Sequence, residues 1–315
     1  MKVHRIELPT PFPVGPVNAY LIEGDPLTLV DAGPKTPEVQ AALETGIGAT
    51  GRRIEDIRRV ILTHGHVDHF GNAMWVTGRS GAELFAHPAD GPKFAGERWV
   101  AENLGKHFTL AGMPPTFLDA FIDRMRAIRA LVDPVTAYHP LQDGDSVAIG
   151  AESLRVLHCP GHSLGHICLF HQEGALIAGD LLLEGISPNP IVEFSHDGKR
   201  IPTLPQYLQS LRRVLLLNCE LAYPGHGGTI TNPGARIREL ISLHEHRKEE
   251  ILRRLGPEPK TLFALAQELY QNLDVINMML AVSEVVGHLD LLLEENRVTA
   301  TRRGHALIFR AKSPR

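Results

Sequence analysis

Four side chains of the kinds that bind divalent metals lie within one six-residue stretch, at His64, His66, Asp68 and His69. Imidazole and carboxylate groups together suit zinc, manganese or iron. A regular strand would turn His64, His66 and Asp68 to one face and His69 to the other. Convergence on an ion therefore predicts that the preceding strand ends here, in a loop or a helix start. Clustering such groups without a ligand to pair with is costly, which favours a metal site over a polar turn.

Three further ligand-type residues follow predicted strands farther along the chain. His162, Asp180 and His226 are each preceded by a glycine, in segments that read as turns. Glycine tolerates backbone conformations that other residues avoid, so such turns can bring a side chain close to an ion. One such turn is weak evidence, but three of them together with the first motif indicate a single metal centre.

With these motifs the chain resembles the metallo-β-lactamase superfamily, over residues 1–235 apart from an insertion. The resemblance implies an αββα sandwich with two divalent ions, for which zinc is favoured and iron or manganese are alternatives. It assigns His64, His66 and His162 to the first ion and Asp180 to a bridging position. It also assigns Asp68, His69 and His226 to the second ion, and it places Asp31 behind the ligand histidines as their support. Such a centre would use a metal-bridging hydroxide, since a metal-bound water titrates near pH ~7, with Asp68 handling protons.

The elements that must position these residues follow from hydrophobic patterning. Strands are expected at 3–8, 19–23, 27–30, 59–63, 83–86, 146–149, 154–158, 167–171 and 175–178, with helices near 37–46 and 70–79. Strands that alternate with helices favour an α/β sandwich. Residues 88–136 interrupt the alternation as a helical insertion, in which Phe117, Phe121 and Met125 share one helix face. We expect this insertion to form an apolar wall over the metal face.

The C-terminal part has a different organisation. A helix is expected from Asn232 and Pro233 to about Leu255, followed by a linker, two more helices at 261–271 and 278–294, and a hairpin. This order predicts a catalytic domain at 1–255 and a small winged-helix-like domain at 256–315. It resembles the β-lactamase-like hydrolases that include a winged-helix-bearing endoribonuclease. Residues 261–296 contain no Lys or Arg, so the helices would repel phosphates. The module is interpreted mainly as a packing or dimerisation element, which leaves a homodimer open.

Composition limits the remaining choices. The formal charge is −4 and only three of 315 residues are cysteine, which offers no general attraction for polyanions and suits a reducing cytosol. The N-terminus lacks the apolar region of a secretory signal, and no run approaches the ~18 apolar residues of a membrane span. We therefore expect a cytoplasmic protein that contacts no membrane and acts on a small molecule.

Three functions remain open. The first is hydrolysis of a small ester, thioester or lactone; the second is cleavage of single-stranded RNA, which the acidic helices disfavour. The third is a mononuclear iron oxygenase that would use His64, His162 and Asp180 alone. Lactonases of the superfamily that cleave acyl-homoserine lactones carry a tyrosine three residues after the bridging aspartate, where this chain has Leu183.

Overall fold

A computed structural model describes residues 1–312, and its main body contains two β-sheets. The first sheet has six strands, hydrogen-bonded in chain order: β1 (Lys2–Leu8), β2 (Val17–Glu23), β3 (Thr28–Val30), β4 (Arg59–Ile61), β5 (Glu83–Ala86) and β6 (His139–Pro140).

The second sheet has five strands from the later part of the chain. Its members are β7 (Ser146–Ile149), β8 (Glu152–His158), β9 (Ile167–His171), β10 (Ala175–Gly179) and, after a short ribbon of β11 (Glu193–Phe194) and β12 (Arg200–Ile201), β13 (Leu221–Pro224). Their spatial order is β13-β10-β9-β8-β7.

Side-chain alternation explains how the sheets stack. On β2, Tyr20 and Ile22 pack with Val156 and Leu169 of the second sheet. Their neighbour Leu21 points the other way, because successive side chains of a strand face opposite sides. Burial on both faces of this strand requires a layer on each side of the sheet.

Helices supply the outer layers. Against the first sheet lie α1 (Pro37–Gly48), the short α2 (Val67–Phe70) and α3 (Ala73–Ser80); against the second lie α7 (Thr203–Leu215) and α8 (Pro233–Leu255). The arrangement is an αββα sandwich, as the resemblance implies.

Helix α7 is absent from the sequence-based assignment, which has no element between the strand at 175–178 and the helix that begins at Asn232 and Pro233. Its buried residues include Leu204, Leu208 and Leu211, spaced three and four apart as in any amphipathic helix. Pro202 and Pro205 frame its first turn, where proline is tolerated, although as sequence signals they suggest a loop.

The predicted insertion contains α4 (Gly91–Ala95), α5 (Arg98–Leu110) and α6 (Pro115–Arg129). The apolar face of this insertion is expected to form a wall over the metal centre, but its large aromatic side chains pack elsewhere. Phe108 and Phe121 instead belong to one core with the C-terminal helices. Burial of both aromatic side chains in that core stabilises the contact.

The C-terminal elements are β14 (Lys260–Thr261), α9 (Leu262–Leu269), α10 (Val275–Glu294), β15 (Val298–Arg303) and β16 (Ala306–Ala311). All of these except β14 contribute side chains to this core. The three strands form a sheet in the order β14-β16-β15. Helix α10 is long and apolar enough to cross a membrane, but 67% of its most apolar window is buried, so packing accounts for its composition. The division into two domains at 255/256 stays a prediction. The last three residues of the predicted second domain, 313–315, lie outside the described range.

Candidate metal centre

Every predicted ligand lies at one edge of the sandwich, because the strands that precede the ligands end at that same edge. Strand β3 pairs in parallel with β4, so Asp31 and the segment after β4 emerge together. Strand β10 likewise pairs in parallel with β13, which brings Asp180 beside His226. His162 follows β8, which runs in the direction of β10 because both pair antiparallel with β9.

The first motif is divided between a loop and a helix. His64 and His66 lie in the loop after β4, and His66 is the N-cap residue of α2, which contains Asp68 and His69. The change from extended to helical backbone brings the four side chains into two neighbouring groups of ligand atoms.

One group of three imidazoles comprises His64, His66 and His162, whose ligand atoms lie within 4.8 Å of one another. Nε2 of His64 is 2.9 Å from Nδ1 of His66. The rings of His66 and His162 are nearly perpendicular, with centroids 4.5 Å apart. Three nitrogens at this spacing can surround one ion.

The second group comprises Asp68, His69 and His226. Nε2 of His226 lies 3.5 Å from Oδ2 of Asp68. Asp180 lies between the groups: its carboxylate is 3.5 Å from His69 Nε2, 3.4 Å from His162 Nε2 and 3.6 Å from His226 Nε2. The structure therefore brings all seven predicted ligands together, with Asp180 in the middle.

The buried polar atoms provide a test of whether ions fit here. Within residues 1–312, four buried atoms of the cluster have no hydrogen-bond partner: His69 Nε2, His162 Nε2, His226 Nε2 and Asp180 Oδ1. Burial without a partner is costly for any polar group. These are the atoms that divalent ions would bind, so the donor set fits divalent metal.

The other ring nitrogens of the same histidines do have partners. Nδ1 of His162 is 2.9 Å from the carbonyl of Asn189, and Nδ1 of His226 is 2.8 Å from the carbonyl of Pro16. A carbonyl only accepts, so each Nδ1 carries a proton and each Nε2 is the nitrogen left to bind an ion. Metal-binding histidines are commonly oriented in this way.

Asp31, which the resemblance places behind the ligand histidines, contacts Thr63 and His69. Its carboxylate accepts hydrogen bonds from the Thr63 amide at 2.8 Å and the Thr63 hydroxyl at 2.7 Å. The same carboxylate is 2.8 Å from Nδ1 of His69. Asp31 adopts a φ of 59°, a left-handed conformation that aspartate tolerates better than most residues. Thr63 is an additional positioning residue for which the sequence gives no signal beyond its place before His64.

Sequence reasoning also misses Asp90, which joins two ligand loops. The buried Asp90 carboxylate accepts from the Gly65 amide at 2.7 Å, between His64 and His66, and from the Gly165 amide at 3.0 Å. It also accepts from the hydroxyl of Ser163, next to His162. No spacing links residue 90 to residues 65 and 165, so only the fold reveals this role.

A buried cation lies beside Asp90. The Lys93 ammonium is 3.6 Å from the Asp90 carboxylate and contacts the carboxylate of Glu193. Burial lowers the pKa of Lys93, but the two carboxylates outweigh it and the net change is upward. Lys93 therefore stays charged and compensates the buried acids at the base of the insertion.

Electrostatics distinguish neutral from charged side chains within the centre. Burial, together with neighbouring imidazoles, lowers the pKa of His64 and of His66 well below the ordinary value, so both are neutral ligands at pH 7. Burial opposes ionisation of Asp180, but His69 and His226 hold the pKa of its carboxyl well below the usual range. Burial also disfavours charge on His69, yet Asp180 and Asp31 raise its pKa well above the ordinary value. Ions bound here would take over the positive charge that these imidazoles now supply.

Glycine is required at one contact in the centre. A Cβ added to Gly225 would lie 2.0 Å from Oδ1 of Asp180. The backbone before His226 therefore packs directly on the carboxylate, which explains the glycine before this ligand.

Comparison with known proteins places the chain in context. Residues 12–226 match the metallo-beta-lactamase superfamily. The probable metallo-hydrolase YqjP of Bacillus subtilis (strain 168) is 34% identical over 98% of this chain and 97% of its own length. The crystal structure of a metallo-beta-lactamase family protein from Thermus thermophilus is 30% identical, covers 98% of both chains and superimposes with a TM-score of 0.86.

A shorter similarity involves a protein with a named activity. The atrochrysone carboxyl ACP thioesterase of Aspergillus fumigatus is 30% identical over 122 residues. The match covers 36% of this chain and 35% of that protein.

Proposed function

The chain belongs to the metallo-β-lactamase superfamily and is a metal-dependent hydrolase, and from this premise we propose that it hydrolyses a small ester, thioester or lactone at a centre of two divalent ions. The observation that carries the proposal is the set of four buried, unpartnered ligand atoms at the meeting point of the predicted ligand loops.

In this proposal each ion has its own set of protein ligands. His64, His66 and His162 hold the first ion, Asp68, His69 and His226 hold the second, and Asp180 contributes to both. Nitrogen and oxygen donors favour zinc, while iron and manganese accept the same donors. When bound, two such ions would lower the pKa of a water to ~7 and polarise the carbonyl oxygen of the substrate.

Asp68 is the candidate for proton handling. Its side chain is 13% exposed, compared with 7% for Asp180, so it is the more accessible of the two carboxylates. Burial opposes its ionisation, but the neighbouring His226 imidazole and the charge of His69 keep the pKa of Asp68 below the usual value. It would orient the attacking water and return a proton to the leaving group, a role worth ~10²–10⁴ in rate.

The choice of a carbonyl substrate has two supports. The partial similarity to a thioesterase makes a thioester the first substrate to test. In addition, residues 261–296 carry six acidic side chains and no Lys or Arg, which opposes binding of a polyanion such as RNA.

A substrate panel tests the proposal. The full chain, loaded separately with zinc, manganese or iron, is assayed on an ester, a thioester, a lactone, a phosphodiester and single-stranded RNA. We expect turnover of at least one carbonyl substrate, lost in His226→Ala and retained in His246→Ala, because His246 is exposed on α8. Cleavage of RNA alone, or of no member of the panel, would contradict the proposal.

A further inference from the structure

A second buried group of ligand-type residues lies on helices α8 and α10, apart from the ligand loops. His244 comes from α8, and Glu284 and His288 come from α10, with their ligand atoms within 4.8 Å of one another. His244 and His288 are buried, and the Glu284 side chain is 14% exposed. Glu284 and His288 are four residues apart and share a helix face. The sequence alone does not connect them to His244, which lies 44 residues before His288.

The spacing of the nitrogens suits a transition metal. Nδ1 of His244 is 3.2 Å from Nε2 of His288. Two zinc–nitrogen bonds of ~2.0–2.1 Å at a tetrahedral angle place their nitrogens ~3.4 Å apart. The Glu284 carboxylate is 4.0 Å from His244 Nδ1, and within residues 1–312 it accepts no hydrogen bond, so it is free to serve as a third ligand.

The outer nitrogens of both rings are already oriented for this role. His288 Nδ1 is 2.7 Å from the Glu284 carbonyl, which only accepts, so Nε2 keeps its lone pair. His244 Nε2 is 3.2 Å from the Ser187 hydroxyl, which can accept a hydrogen bond from that nitrogen when Nδ1 binds the ion. Such contacts orient histidine ligands in protein metal sites. Burial lowers the pKa of His244 to about 4 and that of His288 to about 3, so both rings are neutral at pH 7.

We propose that His244, Glu284 and His288 form a separate structural site for one transition-metal ion, zinc above all, which ties α8 to α10. Three protein ligands leave a fourth position for water, and the ion replaces the direct hydrogen bond between the two imidazoles. Because α8 packs on the second sheet and α10 on the insertion, the ion links the sandwich to the C-terminal core.

Metal content of matched variants tests this site. Full-length wild type, Glu284→Gln, His288→Gln and His246→Gln are loaded with zinc, freed of loosely bound metal by gel filtration, and analysed for zinc per chain. We expect wild type and His246→Gln to agree, and Glu284→Gln and His288→Gln to hold one equivalent less. His246 is the control because it is on the same helix, but its ring hydrogen-bonds the backbone carbonyl of Ser242.

The expected difference of one equivalent is independent of how many ions the catalytic centre holds. Loss of that centre is followed separately in His64→Ala, which keeps the ion on α8 and α10. If Glu284→Gln holds as much zinc as wild type, the two histidines are only a hydrogen-bonded pair and the proposal fails. Should His288→Gln not fold, melting temperatures of wild type and Glu284→Gln with and without zinc decide: a larger rise in wild type supports the site, and equal rises overturn it.

Discussion

Replacing Asp90 with asparagine would test whether one buried carboxylate holds two ligand loops in place. Asp90→Asn keeps the size of the side chain but leaves a single acceptor oxygen. The carboxylate now serves the amides of Gly65 and Gly165 with different oxygens. The asparagine NH₂ group must therefore face one of these N–H donors, and Lys93 loses a nearby negative charge.

The magnitude follows from these contacts. One buried N–H without an acceptor costs ~1–3 kcal/mol, and loss of one partner in a buried ionic network costs up to ~3–5 kcal/mol. Because the Lys93 ammonium keeps Glu193, we expect the free energy of unfolding to fall by ~2–4 kcal/mol. Zinc affinity should fall ~10–100-fold, as for other residues that orient ligands from behind.

Urea unfolding of the metal-free chain gives the first quantity, and competition with a chelating dye gives the second. Asp133→Asn is the control. Like Asp90, Asp133 pairs with a lysine, since its carboxylate is 2.5 Å from the ammonium of Lys35 in another segment, but both of these side chains are about 40% exposed. An exposed pair contributes at most ~1 kcal/mol. If Asp90→Asn is no less stable than Asp133→Asn and binds zinc as wild type does, the carboxylate does not organise the loops.

Three further outcomes are expected. Asp68→Asn should retain the first ion, weaken the second and reduce turnover by at least ~10²-fold; near-wild-type turnover at full metal occupancy would remove the proton role. Asp31→Asn should weaken the second ion ~10–100-fold in calorimetric titration, because His69 loses the charge that orients it; unchanged affinity would refute this. Burial, with the charge of Arg200, lowers the pKa of His107 to about 3. As the pH drops from ~6.5 toward 3, His107 therefore gains a proton in the unfolded chain but not in the folded one, and the free energy of unfolding falls. This group adds up to ~1.4 kcal/mol per pH unit to the slope, so urea unfolding of His107→Phe should show a flatter profile than wild type, and parallel profiles would contradict it.

The sequence is most informative where one local pattern determines the structure. The spacing of His64 to His69 requires a strand to end in a loop and helix, and the structure has that change at His66. Likewise, Asn232 and Pro233 predict the start of α8, where the Asn232 side chain caps the amide of Ala235 at 3.0 Å. Such features depend on neighbours in the chain, so the sequence contains the necessary information.

Features that depend on distant segments are not predictable in this way. Asp90 contacts residues 25 and 75 positions away, and no periodicity connects them. The insertion illustrates the same limit: Phe108 and Phe121 require an apolar surface, but the sequence does not state whether it lies over the metal centre or on the C-terminal helices. The pairing of His244 with His288 is also fixed by helix packing alone.

Activity measured against metal content tests the central claim most directly. The metal-free Glu284→Gln chain, which lacks the structural site proposed on α8 and α10, is titrated with zinc while hydrolysis of the best carbonyl substrate of the panel is recorded. A centre of two ions predicts little activity up to one equivalent and full activity at two. Full hydrolysis with one equivalent, or iron-dependent consumption of O₂ without hydrolysis, would contradict the account.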